Sequence, residues 1–224
     1  MTGVDALDRR EAAEPAESEP ISSMSACEKA VMPKMFLRLL GEPALSVGEV
    51  DRPIRGRGAQ AVLFMIVTEA GISRDRLAAL VWSLASDHEA ARLSLRGVLH
   101  AIRLTCGDIL DSRDGWLRLR NHIEHDLHGI WDGSVSVDQA RRAGSARVLG
   151  GHSFSHFPNF ARRLELWQAA FDAECVRVLR AAAAEAVVGG DHAGAEALLC
   201  RAALLALGHG SLHDEIALIC RRSP

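Results

Sequence analysis

Arg92, Arg96, His100 and Arg103 recur every three or four residues along 86–105, the interval that lines side chains up on one flank of an α-helix. A row of guanidinium and imidazole groups does one kind of chemistry well. It pairs with phosphate oxygens, and an Arg fork can also grip the major-groove edge of guanine. Ser94 adds a hydroxyl to the same stretch, and Arg113 sets another guanidinium beside Asp114-Gly115. Other reactive clusters carry less. His122, His125 and His128, with Asp126 among them, have side chains that zinc accepts. Three-residue spacing gathers them only on a helix, however, and the surrounding residues read as extended, so no metal is expected. The sequence contains no H-E-x-x-H, no G-x-S-x-G and no G-x-x-x-x-G-K-[ST], which leaves out the common hydrolase and nucleotide-triphosphate signatures. Cys106 falls at the end of the basic stretch, where a helix dipole raises a thiol pKa and blunts a nucleophile. The chain is read as a non-enzyme with no cofactor.

The elements that must hold these side chains can be read outward from the basic stretch. Ser86 is a natural N-cap and Glu89 stands three residues on, the signature of a reciprocal capping box; Gly107 supplies a stop. Ala91, Leu95, Val98, Leu99 and Ile102 share the flank beside the charges, which gives the helix a packing face. Asp114-Gly115, between Ile109-Leu110 and 116–119, is the dipeptide best suited to a tight hairpin turn. Upstream, 59–69 is apolar almost all round and reads as a buried helix. Ser73 caps a second helix over 74–82. Residues 35–40 and 44–47 read as short strands, with a third near Pro53-Ile54. Strands, two helices, a basic helix and a hairpin make a winged helix-turn-helix, which lays its last helix in the major groove of DNA.

Composition limits the rest. The chain has 224 residues, 48% hydrophobic and 25% charged, ordinary for a globular protein, and no apolar run is long enough to span a bilayer. Its formal net charge of −3 conceals an uneven distribution. Lys and Arg number three against seven Asp and Glu over 1–33, thirteen against ten over 34–121, and ten against twelve over 122–224. Only the middle segment is positive, and its charges cluster on the basic helix and hairpin. Five cysteines, widely spaced and without a C-x-x-C pair, read as reduced and mostly packing. With no apolar leader at the N-terminus, the expected location is the cytoplasm.

The expected organisation is a disordered acidic tail over 1–33, a winged-helix DNA-binding domain over 34–121, a linker with a short helix at 135–143 over 122–159, and a helical domain over 160–224. In the last, 160–188 carries an apolar stripe of Phe160, Leu164, Trp167, Phe171, Cys175, Val178 and Ala182. Gly189-Gly190 ends that helix, a second follows over 191–207, and a third begins over 214–220. The fold class is therefore mainly α with a small β component. A helical hairpin of this kind is tetratricopeptide-like, and it looks cut short because such arrays stack about three units or more.

These residues resemble a known family. LRLLGEPALSVGE, RGAQAVLFMIVTEAG, SRDRLAALVW and EAARLSLRGVLHAIRLTCGDIL followed by GWLRL are similar to the winged-helix domain of bacterial SARP-type transcriptional activators, of the OmpR-type fold. FARRLELWQAAFDAECVRVLRAAAAEAVVGGDHAGAEALLCRAAL is similar to the bacterial transcriptional activation domain that follows it. The resemblance implies sequence-specific transcription regulation, with DNA contacts from Arg92, Ser94, Arg96, His100 and Arg103 on the recognition helix and from Arg113 on the wing. It also implies double-stranded DNA as partner, RNA polymerase as a second one, and no membrane association. Two positions depart from the family pattern: Gly97 stands where a long polar residue is usual, and His192 where an aromatic one is. With no room for a receiver domain ahead of Met35, direct phosphorelay control is not expected. The small positive excess points to paired subunits on repeated half-sites. The competing reading is a protein-interaction adaptor whose winged helix is degenerate.

Overall fold

A computed structural model describes residues 34–129, 133–143 and 146–206. The expected acidic tail and the expected third C-terminal helix lie outside the described residues.

The chain opens on an antiparallel meander of β1 (Met35–Arg38), β2 (Ala44–Val47) and β3 (Val50–Pro53). Leu37 and its cross-strand partner Leu45 are buried on one face, and Ala44 is buried on the other. Next comes α1 (Arg57–Thr68), in which every residue from Ala59 to Val67 is buried, as its almost continuous apolar run predicts. The one polar side chain in that run is satisfied, since the Gln60 amide donates to the Ile54 carbonyl at 3.0 Å and accepts from Arg57 at 3.0 Å. After β4 (Ile72–Ser73), the Ser73 hydroxyl accepts from the Arg76 amide and caps α2 (Arg74–Val81).

The basic helix, α3, spans His88–Cys106, and its cap corrects the sequence reading. Asp87, not Ser86, is the N-cap: its carboxylate accepts from the Ala90 amide at 2.7 Å. The expected Ser86/Glu89 box is therefore one residue out of register, and Glu89 turns instead toward Arg92. A carboxylate accepts more strongly than a hydroxyl and also meets the positive end of the helix dipole, so Asp87 has the advantage over its neighbour. The hairpin follows as β5 (Leu110–Arg113) and β6 (Trp116–Leu119), with Arg113 opposite Trp116. Asp114 at φ 50° and Gly115 at φ 79° form the two-residue turn that the dipeptide predicts. β4 pairs with β6, giving a second sheet in the order β4-β6-β5.

Residues 122–129 also depart from expectation. In place of a linker they supply β7 (Ile123–His125), which runs parallel to β1 and completes the first sheet in the order β3-β2-β1-β7. A parallel pair needs a long crossover, and here the crossover contains α1, α2, α3 and the hairpin. The winged-helix sheet is thus closed by residues beyond 121. The short helix appears as α4 (Val137–Ala143).

A long α5 (Pro158–Val188) then turns back through Gly189-Gly190 into α6 (His192–Leu205), which Asp191 caps through the Gly194 amide at 2.8 Å. Of the stripe expected on α5, Phe160, Trp167, Phe171, Cys175 and Val178 are buried, Leu164 and Ala182 are only half-buried, and Leu179 and Ala183 join the core. The molecule is mainly α with a small β component: a winged helix-turn-helix followed by a tetratricopeptide-like helical hairpin. The two parts share a core. Phe64 of α1 meets Phe160 and Trp167 of α5 edge to face, at 5.7 and 5.2 Å between ring centres. Glu69, at the end of α1, takes ion pairs from Arg76 of α2 and Arg163 of α5. Cys106 and Cys175 are buried packing residues with thiol pKa values pushed up by burial, that of Cys175 to about 12, whereas Cys200 is exposed. No described helix is long and apolar enough to cross a membrane.

Candidate nucleic-acid interface

The amphipathic pattern of α3 sets which side chains are available. Ala91, Leu95, Ile102 and Cys106 are buried against α1 and α2, with Val98 and Leu99 half-buried beside them. All five expected α3 contacts, Arg92, Ser94, Arg96, His100 and Arg103, are exposed, as is Arg113 at the hairpin tip. Their surroundings differ. The Arg92 guanidinium is held by Asp75 of α2 at 2.7–2.8 Å and faces Glu89 at 3.9 Å. Those carboxylates raise its pKa further and make it a strut between α2 and α3. The Ser94 hydroxyl donates to the Ala90 carbonyl one turn back. Arg103 and Arg113 lie 3.8 and 3.1 Å from Asp108 and Asp111, with side chains 73% and 83% exposed, so solvent screens both pairs and the guanidiniums still face outward. Arg96 and His100 have no ion pair or hydrogen bond among the described residues.

Two further basic residues emerge only from the tertiary structure. Arg74, in the first turn of α2, hydrogen-bonds the Ser112 hydroxyl of β5 at 2.9 Å. With Arg96, His100 and Arg103 it lines a groove of about 210 Å³ between α3 and the hairpin. Arg118, on β6 opposite Asp111, points to solvent. Neither stands out in the sequence, because the β4–β6 pairing that brings the start of α2 against the hairpin has only two residues on one side. Trp116, half-exposed beside the turn, adds a flat apolar surface at the tip. The surface as a whole can take a polyanion along the groove side of α3.

The histidine cluster is arranged differently. The Asp126 carboxylate accepts from the backbone amides of Leu39 and Leu40, each at 2.8 Å, and ties β7 to the end of β1. Burial pushes its pKa up against the pull of those two bonds. The His125 and His128 rings stack at 3.8 Å, and the His125 Nδ1 accepts from the Leu127 amide. Desolvation first, and His128 second, lower the His125 pKa to about 4. These groups are spent on fixing backbone.

No protein-family model and no curated protein matches the chain. A solved structure, "Mycobacterium tuberculosis EmbR in complex with low affinity phosphopeptide", aligns with it at a TM-score of 0.40 and 19% identity. The alignment covers 86% of this chain and 66% of that one.

Proposed function

We propose that this chain is a sequence-specific DNA-binding transcriptional regulator of the SARP type, with α3 as recognition helix in the major groove and β5–β6 as the wing. The observation that carries the reading is the placement of Arg96 and His100 on the solvent side of α3, without acidic partners among the described residues, beside a groove lined by Arg74 and Arg103. Phosphates would meet Arg96, Arg103, Arg113 and Arg118, while Arg92 serves chiefly to brace the helix. In this reading the protein is not an enzyme, works in the bacterial cytoplasm on the nucleoid, and binds as paired subunits. The α5–α6 module supplies the surface for dimerisation or for RNA polymerase.

Affinity for duplex DNA, measured across salt concentrations, tests the reading. Binding through several phosphates falls steeply with salt, with a slope of about −0.9 per phosphate neutralised. Arg96→Ala is expected to weaken binding about tenfold and to reduce that slope by about one, with thermal unfolding unchanged. Duplex affinity that stays flat across salt would sink the regulator reading. It would favour the adaptor, for which a specific observation also speaks: Arg92, Arg103 and Arg113 each already face a carboxylate.

A further inference from the structure

The outermost ridge of α3 carries two exposed leucines, with Gly97 and His100 between them. At about 100° per residue, the line opposite the buried Ala91, Leu95 and Ile102 runs through Leu93, Gly97, His100 and Leu104, and the arginines sit to one side of it, toward the hairpin. Leu93 and Leu104 are 65% and 74% exposed, whereas the groove beside the hairpin takes Arg96 and Arg103. A Cβ at Gly97 would meet nothing within 4 Å, so internal packing does not require the glycine. Its effect is to leave the ridge low one turn after Leu93, before His100 and Leu104.

We infer that this ridge reads thymine methyl groups, and that the flanking arginines hold phosphates. The inference rests on the reading that α3 docks in DNA. The C5 methyl of thymine is the apolar group on the major-groove edge of the bases, and exposed leucines on the leading line of a docked helix would desolvate against it. Charge complementarity selects this occupant over an apolar protein groove, because on the hairpin side of the ridge Arg74, Arg96, Arg103, Arg113 and Arg118 outnumber Asp108, Asp111 and Asp114. Gly97 lets the bases approach the backbone beside the Leu93 contact, and His100 offers a ring nitrogen between it and Leu104. Leu93 and Leu104 are eleven residues apart, roughly 16 Å along the helix at 1.5 Å per residue, which matches about five base-pair steps. Each half-site should therefore carry two thymine contacts about four to five base pairs apart.

The full chain would first be used to select its preferred duplex from a random pool, and each thymine in that duplex would then be replaced by deoxyuridine, which lacks only the methyl. Two positions are expected to lose about fourfold in affinity apiece, the scale of one buried methyl. Leu93→Ala and Leu104→Ala should each bind more weakly and abolish the response at one of those positions. Both leucines are exposed, and urea unfolding of each variant would check that the fold is kept. If deoxyuridine changes nothing while binding stays steeply salt-dependent, the ridge does not read methyls and the DNA-binding reading survives. If the leucine variants alter the association state of the free chain and leave the deoxyuridine response intact, the ridge is a protein interface. Absence of any salt-dependent duplex binding removes both.

Discussion

The basic surface of α3 and the His-Asp segment at the end of β7 both hold ionisable side chains, in opposite settings. Around Asp126 the chain brings backbone donors within 2.8 Å of both carboxylate oxygens and presses His125 against His128, so the polar groups are consumed in joining strands. Along α3, Arg96 and His100 face solvent with no hydrogen bond or ion pair among the described residues. Whether a charged side chain is structural or functional is decided by what the fold puts opposite it. Arg92 shows the intermediate case, sitting in the basic row but tied to Asp75.

The sharpest way to break the comparison is Asp126→Ala. It leaves the Leu39 and Leu40 amides without their acceptor, at about 1–3 kcal/mol each when buried, so urea unfolding should show a loss of about 2–5 kcal/mol. A loss below about 0.5 kcal/mol would mean that water replaces the carboxylate and that the segment is not structural. A smaller effect should follow from pH. His125 has a pKa near 4 in the folded chain against 6.5 as a free side chain. The unfolded state therefore binds the proton first as pH falls. Its contribution is constant above about pH 6.5, declines between 6.5 and 4, and is level below that. Discounted for the partial exposure of the ring, the decline should reach about 2 kcal/mol. The raised pKa of Asp126 acts in the opposite sense, since protonation there favours the folded form, so the measurement is the difference between wild type and His125→Asn across that range. Parallel curves would show that His125 is not held neutral.

Local features proved readable from sequence wherever one element determines them. The largely apolar α1, the Asp114-Gly115 turn and the Ser73 cap depend on residues within a turn of each other, and each appears as expected. What was not legible depends on distant partners. β7 has only three residues, and its pairing with β1 spans most of the winged helix, so no local periodicity announces it. Arg74 belongs to the groove only because β4 pairs with β6. The outermost ridge of α3 was legible in principle, since the same angular count that finds the arginine flank also finds Leu93 and Leu104 opposite the core. Charge marks the arginine flank in the sequence, and two leucines eleven residues apart carry no comparable mark.

The capping correction gives the mildest test, and it separates a local rule from the context that overrides it. If the Ser86/Glu89 box held α3, Ser86→Ala would remove the cap, at about 0.5–2 kcal/mol. With Asp87 as cap, that cost moves to Asp87→Ala, about 1 kcal/mol, while Ser86→Ala stays within about 0.5 kcal/mol of wild type. Asp87→Ser should recover most of the loss, because a hydroxyl can still accept from the Ala90 amide, but not all of it, because the charge that meets the helix dipole is gone. Thermal unfolding of the three variants orders them directly. The reverse order would return the cap to Ser86, shift the start of α3 by one residue, and leave the angular relation among Leu93, Arg96 and the core unchanged, since that relation depends on spacing within the helix and not on where it begins.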